Sequence, residues 1–216
     1  KKEQKKGLMQ KLLTGEVRLP GFDGEWEEVR LGDISTMYSG GTPQTSNKEY
    51  YNGSIPWINS GDLNQKKIRF VERKISRKGL ENSSAKMVSE GDLLIALYGA
   101  TAGIVGISCI NAAINQAVLA IIPKKDDKMY LYYQLDFLKD SIINRYTQGG
   151  QPNLSGAIMK SLKINITPLQ EQKAIAQILT TADKEIDLLT QELEQLKLQK
   201  KGLMQLLLTG IIRVKS

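Results

Sequence analysis

From residue 167 onward the apolar side chains fall on one narrow stripe: Ile175, Leu179, Ala182, Ile186, Leu189, Leu193, Leu196, Leu203 and Leu207. From Ala182 the steps alternate four and three, with Lys200 in the one seam position that is not apolar. That is a heptad pattern. Thr167 as N-cap, Pro168 at the first helical position and Gln170 three residues after the cap form a start signal, and Gly210 is a stop. The spacing predicts a helix over 167–210, a rod of about 60 Å at ~1.5 Å per residue. So thin a stripe cannot bury itself, and a second helix, from another chain or another copy of the unit, is expected to cover it. The competing reading is a helix lying across its own domain, but a rod this long overhangs a domain of roughly 150 residues.

Between residues 24 and 166 the pattern shortens. Residues 26–31 alternate like an edge strand, and 55–58 form a short apolar segment bounded by Asn and Gly. Residues 93–97, 104–108 and 117–122 read as buried strands separated by glycine-containing turns. One amphipathic helix interrupts them, with Leu131, Leu135, Leu138 and Ile142 on a face and Asp126 and Asp127 as cap candidates. A further short helix is expected over 154–161. The fold class is therefore α+β, a mixed globular domain followed by a long coiled-coil helix.

The chain also repeats itself. Lys5-Lys6-Gly7-Leu8-Met9-Gln10-Lys11-Leu12-Leu13-Thr14-Gly15 recurs at residues 200–210 with a single difference, and Arg18 is matched by Arg213. The offset of 195 residues is far too long for a solenoid. It points to a unit of that length ending in this segment, the chain opening on the tail of a preceding unit; Lys1 in place of a methionine points the same way. The expected organisation is 1–22 helix tail and linker, 23–166 globular domain, 167–210 long helix and 211–216 tail.

Composition narrows the chemistry. The 216 residues contain 41% hydrophobic and 25% charged residues, enough apolar side chains for a packed domain. No histidine occurs, which excludes Ser-His-Asp and Cys-His catalysis and most zinc sites. Cys109 is the one cysteine and sits in an apolar run, so a packed core thiol is expected rather than a nucleophile. No glycine-rich cofactor loop, Asn/Asp-Pro-Pro-aromatic motif, P-loop or metal-nuclease carboxylate cluster is present. No catalysis, cofactor or metal is expected. No apolar run approaches the ~18 residues of a membrane helix, and a reducing cytoplasm is the expected location.

The net charge of +7 is unevenly placed. Residues 66–78 hold Lys66, Lys67, Arg69, Arg73, Lys74, Arg77 and Lys78 against a single Glu72. Such a run suits a phosphate backbone, which releases counterions when neutralised, but a solvated basic loop has the same composition.

A set of short motifs resembles the specificity subunits of type I restriction–modification systems. They are Leu31-Gly32-Asp33-Ile34, Gly40-Gly41-Thr42-Pro43, Tyr51, Gly53, Ile55-Pro56-Trp57 and Ser60-Gly61-Asp62-Leu63. They continue with Gly91-Asp92-Leu93-Leu94, Tyr98-Gly99, Gln148-Gly149-Gly150-Gln151-Pro152-Asn153-Leu154 and Pro168-Leu169-Gln170-Glu171-Gln172. Each is weak alone; their order and spacing over about 26–210 are specific. The resemblance implies a target-recognition domain and a spacer helix, half of a subunit in which two such helices pair antiparallel and each domain reads one half of a split double-stranded DNA site. It implies methyltransferase subunits and a motor-nuclease subunit as partners, no catalysis by the chain itself, and a homodimer through the long helix if the half stands alone.

Base-reading residues are expected in loops beside the shared motifs: Thr45, Ser46, Asn47 and Lys48; Asn64, Gln65, Lys66 and Lys67; Tyr98 and Thr101; Gln148, Gln151 and Asn153. Asn and Gln can pair bidentately with adenine, and Lys with guanine. Arg69, Arg73, Lys74, Arg77 and Lys78 are expected on phosphates. Gly40-Gly41-Thr42-Pro43 is expected to shape a turn, and Trp57 to lie in the core. Two other readings remain at this stage: a coiled-coil assembly module without DNA contact, and a detached recognition domain of a single-chain adenine methyltransferase or restriction enzyme.

Overall fold

In the computed structural model the described residues are 1–148, 151–210, 212 and 213; for 147, 148, 151 and 152 only the backbone is described. Helix α1 (Lys2–Leu13) comes first, followed by strand β1 (Glu27–Arg30), a single helical turn α2 (Leu31–Ile34) and β2 (Ser35–Ser39). Then come β3 (Tyr51–Ile58), β4 (Lys67–Ile68), β5 (Lys74–Ile75), α3 (Arg77–Glu81) and β6 (Lys86–Val88). Strands β7 (Leu93–Ala96), β8 (Val105–Ser108), β9 (Ala112–Ile114) and β10 (Val118–Pro123) precede helix α4 (Lys128–Tyr146). The chain closes with β11 (Thr147–Gln148), β12 (Gln151–Pro152), α5 (Gly156–Ser161), β13 (Lys163–Ile166) and α6 (Leu169–Leu208).

The strands form a five-stranded sheet ordered β2-β10-β7-β8-β4 and a four-stranded sheet ordered β5-β3-β9-β6, with β1-β13 and β11-β12 as separate pairs. Side chains alternate across a strand, and the core follows that alternation. Leu93, Ile95, Leu119 and Ile121 face the helices α1, α4 and α6. Their neighbours Leu94, Ala96, Val118 and Ala120 join Ile58, Ala112 and Ile114 in a second core between the two sheets. Trp57, Ile75 and Ala113 pack on the outer face of the four-stranded sheet. A sheet covered on both faces explains why 93–97 and 117–122 read as unbroken apolar runs rather than alternating ones.

The α+β architecture agrees with the sequence pattern, and Trp57 is 5% exposed, in the core. Asp127 caps α4, accepting a hydrogen bond from the Tyr130 amide at 2.8 Å. Four details differ from expectation. Helix α6 starts one or two residues later, because the Thr167 hydroxyl donates to the Glu171 carboxylate instead of capping the backbone. Cys109, expected as a packed core thiol, is half-buried just after β8. Gly40 and Gly41 serve close approach: a Cβ at Gly40 would lie 1.8 Å from the Ile114 carbonyl oxygen, and one at Gly41 1.9 Å from the Ser84 hydroxyl. Finally, α1, expected as the helix tail of a preceding unit, packs on this domain, with Met9, Leu12 and Leu13 in the main core.

Candidate nucleic-acid interface

The domain and the rod are joined at the start of α6. Glu171 and Gln172 are each 1% exposed. Gln172 accepts from the Asp127 amide at 2.8 Å and donates to Asp126 at 2.9 Å and to the Thr167 carbonyl at 2.7 Å. Glu171 takes a bidentate pair from Arg18, both contacts at 2.8 Å, and the hydroxyl of Thr167. Burial pushes the Glu171 carboxyl pKa up, but the hydrogen bonds from Arg18 and Thr167 and the Arg18 charge outweigh it and hold the group below its ordinary value.

Helix α1 runs antiparallel along the first turns of α6. Lys1 pairs with Glu185 at 2.9 Å, Lys5 with Asp183 at 2.6 Å, and Arg18 with Glu171, so numbers rise on one side as they fall on the other. Asp183 also accepts from the Tyr133 hydroxyl at 2.8 Å, and the Lys5 ammonium stands 5.1 Å from the Tyr133 ring centre. Gln134 of α4 donates to the Leu13 carbonyl at 3.1 Å. These contacts were not legible as a site, because Lys5, Arg18 and Glu171 are far apart in sequence; the match of Arg18 to Arg213 was the one available signal.

The seam residues divide. Ile175 and Leu179 are buried in the domain core, Ala182 and Ile186 are half-buried, and Leu189, Leu193, Leu196, Leu203 and Leu207 are exposed. The first part of the stripe thus does lie on its own domain, while the rest stands clear of it.

The candidate reading residues fall into two neighbourhoods. Thr45, Ser46 and Lys48 are exposed on the loop between β2 and β3, and Asn47 accepts from the Glu49 amide at 3.1 Å. This loop lies against α3, where Lys78 pairs with Glu49 and Arg77 with Glu81, and Ser76 donates to the Glu49 carbonyl at 2.7 Å. Arg73 and Lys74 are exposed at β5, the edge of the four-stranded sheet.

The second neighbourhood gathers around two 3-10 turns, Ser60–Gln65 and Gly99–Thr101, which pack on each other. It holds Asn64, Gln65, Tyr98 and Thr101, and the exposed Asn153 bridges to Tyr98 through the backbone. Asn64 donates to the Gly61 carbonyl at 2.9 Å. Gln148 and Gln151 face each other in the β11-β12 pair, but their side chains, like all of Gly149 and Gly150, lie outside the described residues. Lys66, Lys67 and Arg69 line a cleft of about 770 Å³ between this loop, α1 and α6. Among the described residues no group of three or more Cys, Asp or Glu side chains could hold a metal ion, and no helix is long and apolar enough to cross a membrane.

The type I restriction modification DNA specificity domain matches residues 23–198. The chain belongs to that family. It is 32% identical over 198 residues to the type I restriction enzyme MjaVIII specificity subunit of Methanocaldococcus jannaschii, covering 89% of this chain and 44% of that one. It is 28% identical over 187 residues to the EcoR124I/EcoR124II specificity subunit of Escherichia coli, covering 83% and 46%. In fold it resembles the HsdS subunit of Thermoanaerobacter tengcongensis, with a TM-score of 0.64 at 20% identity over 88% of this chain and 45% of that chain. The chain spans about half the length of the curated relatives it matches. None of these relatives favours the assembly module or the detached enzyme domain.

Proposed function

We propose that this chain reads one half of a bipartite double-stranded DNA site as the recognition domain and spacer helix of a type I restriction–modification specificity subunit, and does no chemistry itself. The observation that carries the reading is the match of the DNA specificity domain to residues 23–198, and the exposed polar and cationic loops beside the two sheets support it. In this reading residues 23–166 recognise DNA and residues 167–210 set the distance to the other half-site. The methyltransferase subunits and the motor-nuclease subunit dock on the assembly in the cytoplasm. Thr45, Ser46, Asn47, Lys48, Asn64, Lys66, Lys67, Tyr98, Thr101, Gln148, Gln151 and Asn153 are the base-reading set, with Gln65, whose amide is engaged by the backbone of Arg69 and Phe70, supporting their loop; Arg69, Arg73, Lys74, Arg77 and Lys78 hold phosphates.

The repeat supports an antiparallel pairing of two spacer helices. Met9, Leu12 and Leu13 are 7%, 4% and 1% exposed where α1 lies on α4 and α6. Their counterparts Met204, Leu207 and Leu208 are 47%, 45% and 81% exposed, and Lys5 and Arg18 have counterparts in Lys200 and Arg213. The end of α6 therefore carries the set of side chains that fills such a seat in a second unit, whether in the same subunit or in a homodimer.

The test is selection of bound duplexes from a random library by the chain together with its methyltransferase subunit. Enrichment of a split motif is expected, with two identical inverted halves if two copies of this chain pair. Duplexes bound without sequence preference would overturn the reading.

A further inference from the structure

The basic loop between β4 and β5 presents an aromatic ring to solvent. Phe70 is 65% exposed, and it is the one exposed aromatic side chain among the described residues. Its placement follows from its neighbours. Ile68 and Val71 are 0% and 4% exposed and plug into the core between the sheets, so Arg69 and Phe70 must arch outward between two anchors. One side chain braces the arch: the Gln65 amide donates to the Phe70 carbonyl at 2.8 Å, and its oxygen accepts from the Arg69 amide at 3.4 Å. At the loop's far end the Arg73 carbonyl is fixed by the Trp57 amide at 2.9 Å. The ring is thus held up on a backbone that needs little further ordering on binding.

Scattered surface hydrophobes are ordinary. This one differs in its surroundings. Arg69 precedes it and lines the cleft towards α6, while Phe70 itself borders a second depression with Asn59, Asp62, Glu72 and Arg73. The ring therefore stands between Arg69 and Arg73 in sequence, with Glu72 the one acidic residue of the run beside it. Cations flanking a rigid apolar projection match a duplex, whose phosphates lie on either side of a stack of apolar base faces.

We propose that Phe70 is a wedge that enters the base stack of the bound duplex, at a step beside the bases read by the Ser60–Gln65 and Gly99–Thr101 turns. The proposal rests on the DNA-reading function above. It is tested with the chain and its methyltransferase subunit on the selected duplex, carrying 2-aminopurine at each position in turn. Native protein and Phe70→Tyr should brighten the probe at one step; Phe70→Ala should not, and should bind the selected duplex about tenfold more weakly with an unchanged salt slope. Because the ring is exposed, all three proteins should melt alike. Equal affinity and equal fluorescence profiles for native and Phe70→Ala would overturn the wedge, as would a loss of affinity with no bright step anywhere. Retained DNA binding with loss of the methyltransferase subunit would assign Phe70 to a protein contact and overturn it too. A native complex that selects no duplex sinks the DNA-reading function itself, a separate failure.

Discussion

Glu171 shows how one carboxylate can fasten two elements. Buried, it is tolerable only because Arg18 supplies a bidentate partner and Thr167 a further donor. Glu171→Ala leaves those donors unpaired and should lower unfolding stability by about 2 kcal/mol in urea titrations. The pH dependence has a definite sign. A folded-state pKa held below the ordinary 4.5 contributes stability that is complete above that value and is lost as pH falls through the depressed one. The melting-temperature gap between native protein and Glu171→Gln should therefore stay constant from neutral pH down to the ordinary carboxylate value and close below it. A gap that widens in acid would contradict this assignment. Their pairing was not legible in the sequence, where Glu171 stood only within a shared motif and Arg18 only as the counterpart of Arg213.

At the scale of elements, the two sheets meet where the chain leaves β2. Gly40 and Gly41 donate their amides to the carbonyls of Asn115 and Ile114, each at 3.2 Å, which brings this segment against the end of β9. No side chain fits between those backbones. Gly40→Ala should destabilise the fold by about 3 kcal/mol, since the atom in the way is a backbone oxygen that cannot rotate aside. Gly61→Ala is the control, with nothing within 4 Å of the added methyl, and should be close to neutral. Urea unfolding of both variants decides the matter; equal losses would mean that the contact is softer than its geometry. The glycine pair was visible in the sequence, but as a turn. A turn and a close approach demand the same residue, and only the position of β9 tells them apart.

For the whole molecule, one apolar stripe lies in two environments. Leu179 is fully buried against the domain, while Leu193 and Leu196 are 51% and 53% exposed on the same seam. Leu179→Ala should cost about 3 kcal/mol of domain stability. The double change Leu193→Lys and Leu196→Lys should leave the domain's melting temperature unchanged and abolish pairing with a second spacer helix, read by sedimentation or light scattering. Loss of domain stability in the double variant, or pairing that survives it, would show that the exposed stretch is not the pairing seam.

What the sequence by itself determined is local or repeated. The heptad spacing of α6, the strand-sized apolar runs, the cap candidates Asp126 and Asp127 and the 195-residue repeat depend on near neighbours or on self-comparison, and each is readable one window at a time. The order and spacing of the short motifs sufficed to suggest the family. The tertiary structure alone decided where the stripe stops being core and becomes free rod, because that depends on how far α4 and α1 reach along α6. It also decided that a basic run divides around an exposed ring, since the buried neighbours that push Phe70 outward are defined only once both sheets are in place. Contacts between residues more than a hundred positions apart, such as Arg18 with Glu171, carry no periodic signal, and only the closing of the chain on itself brings them together.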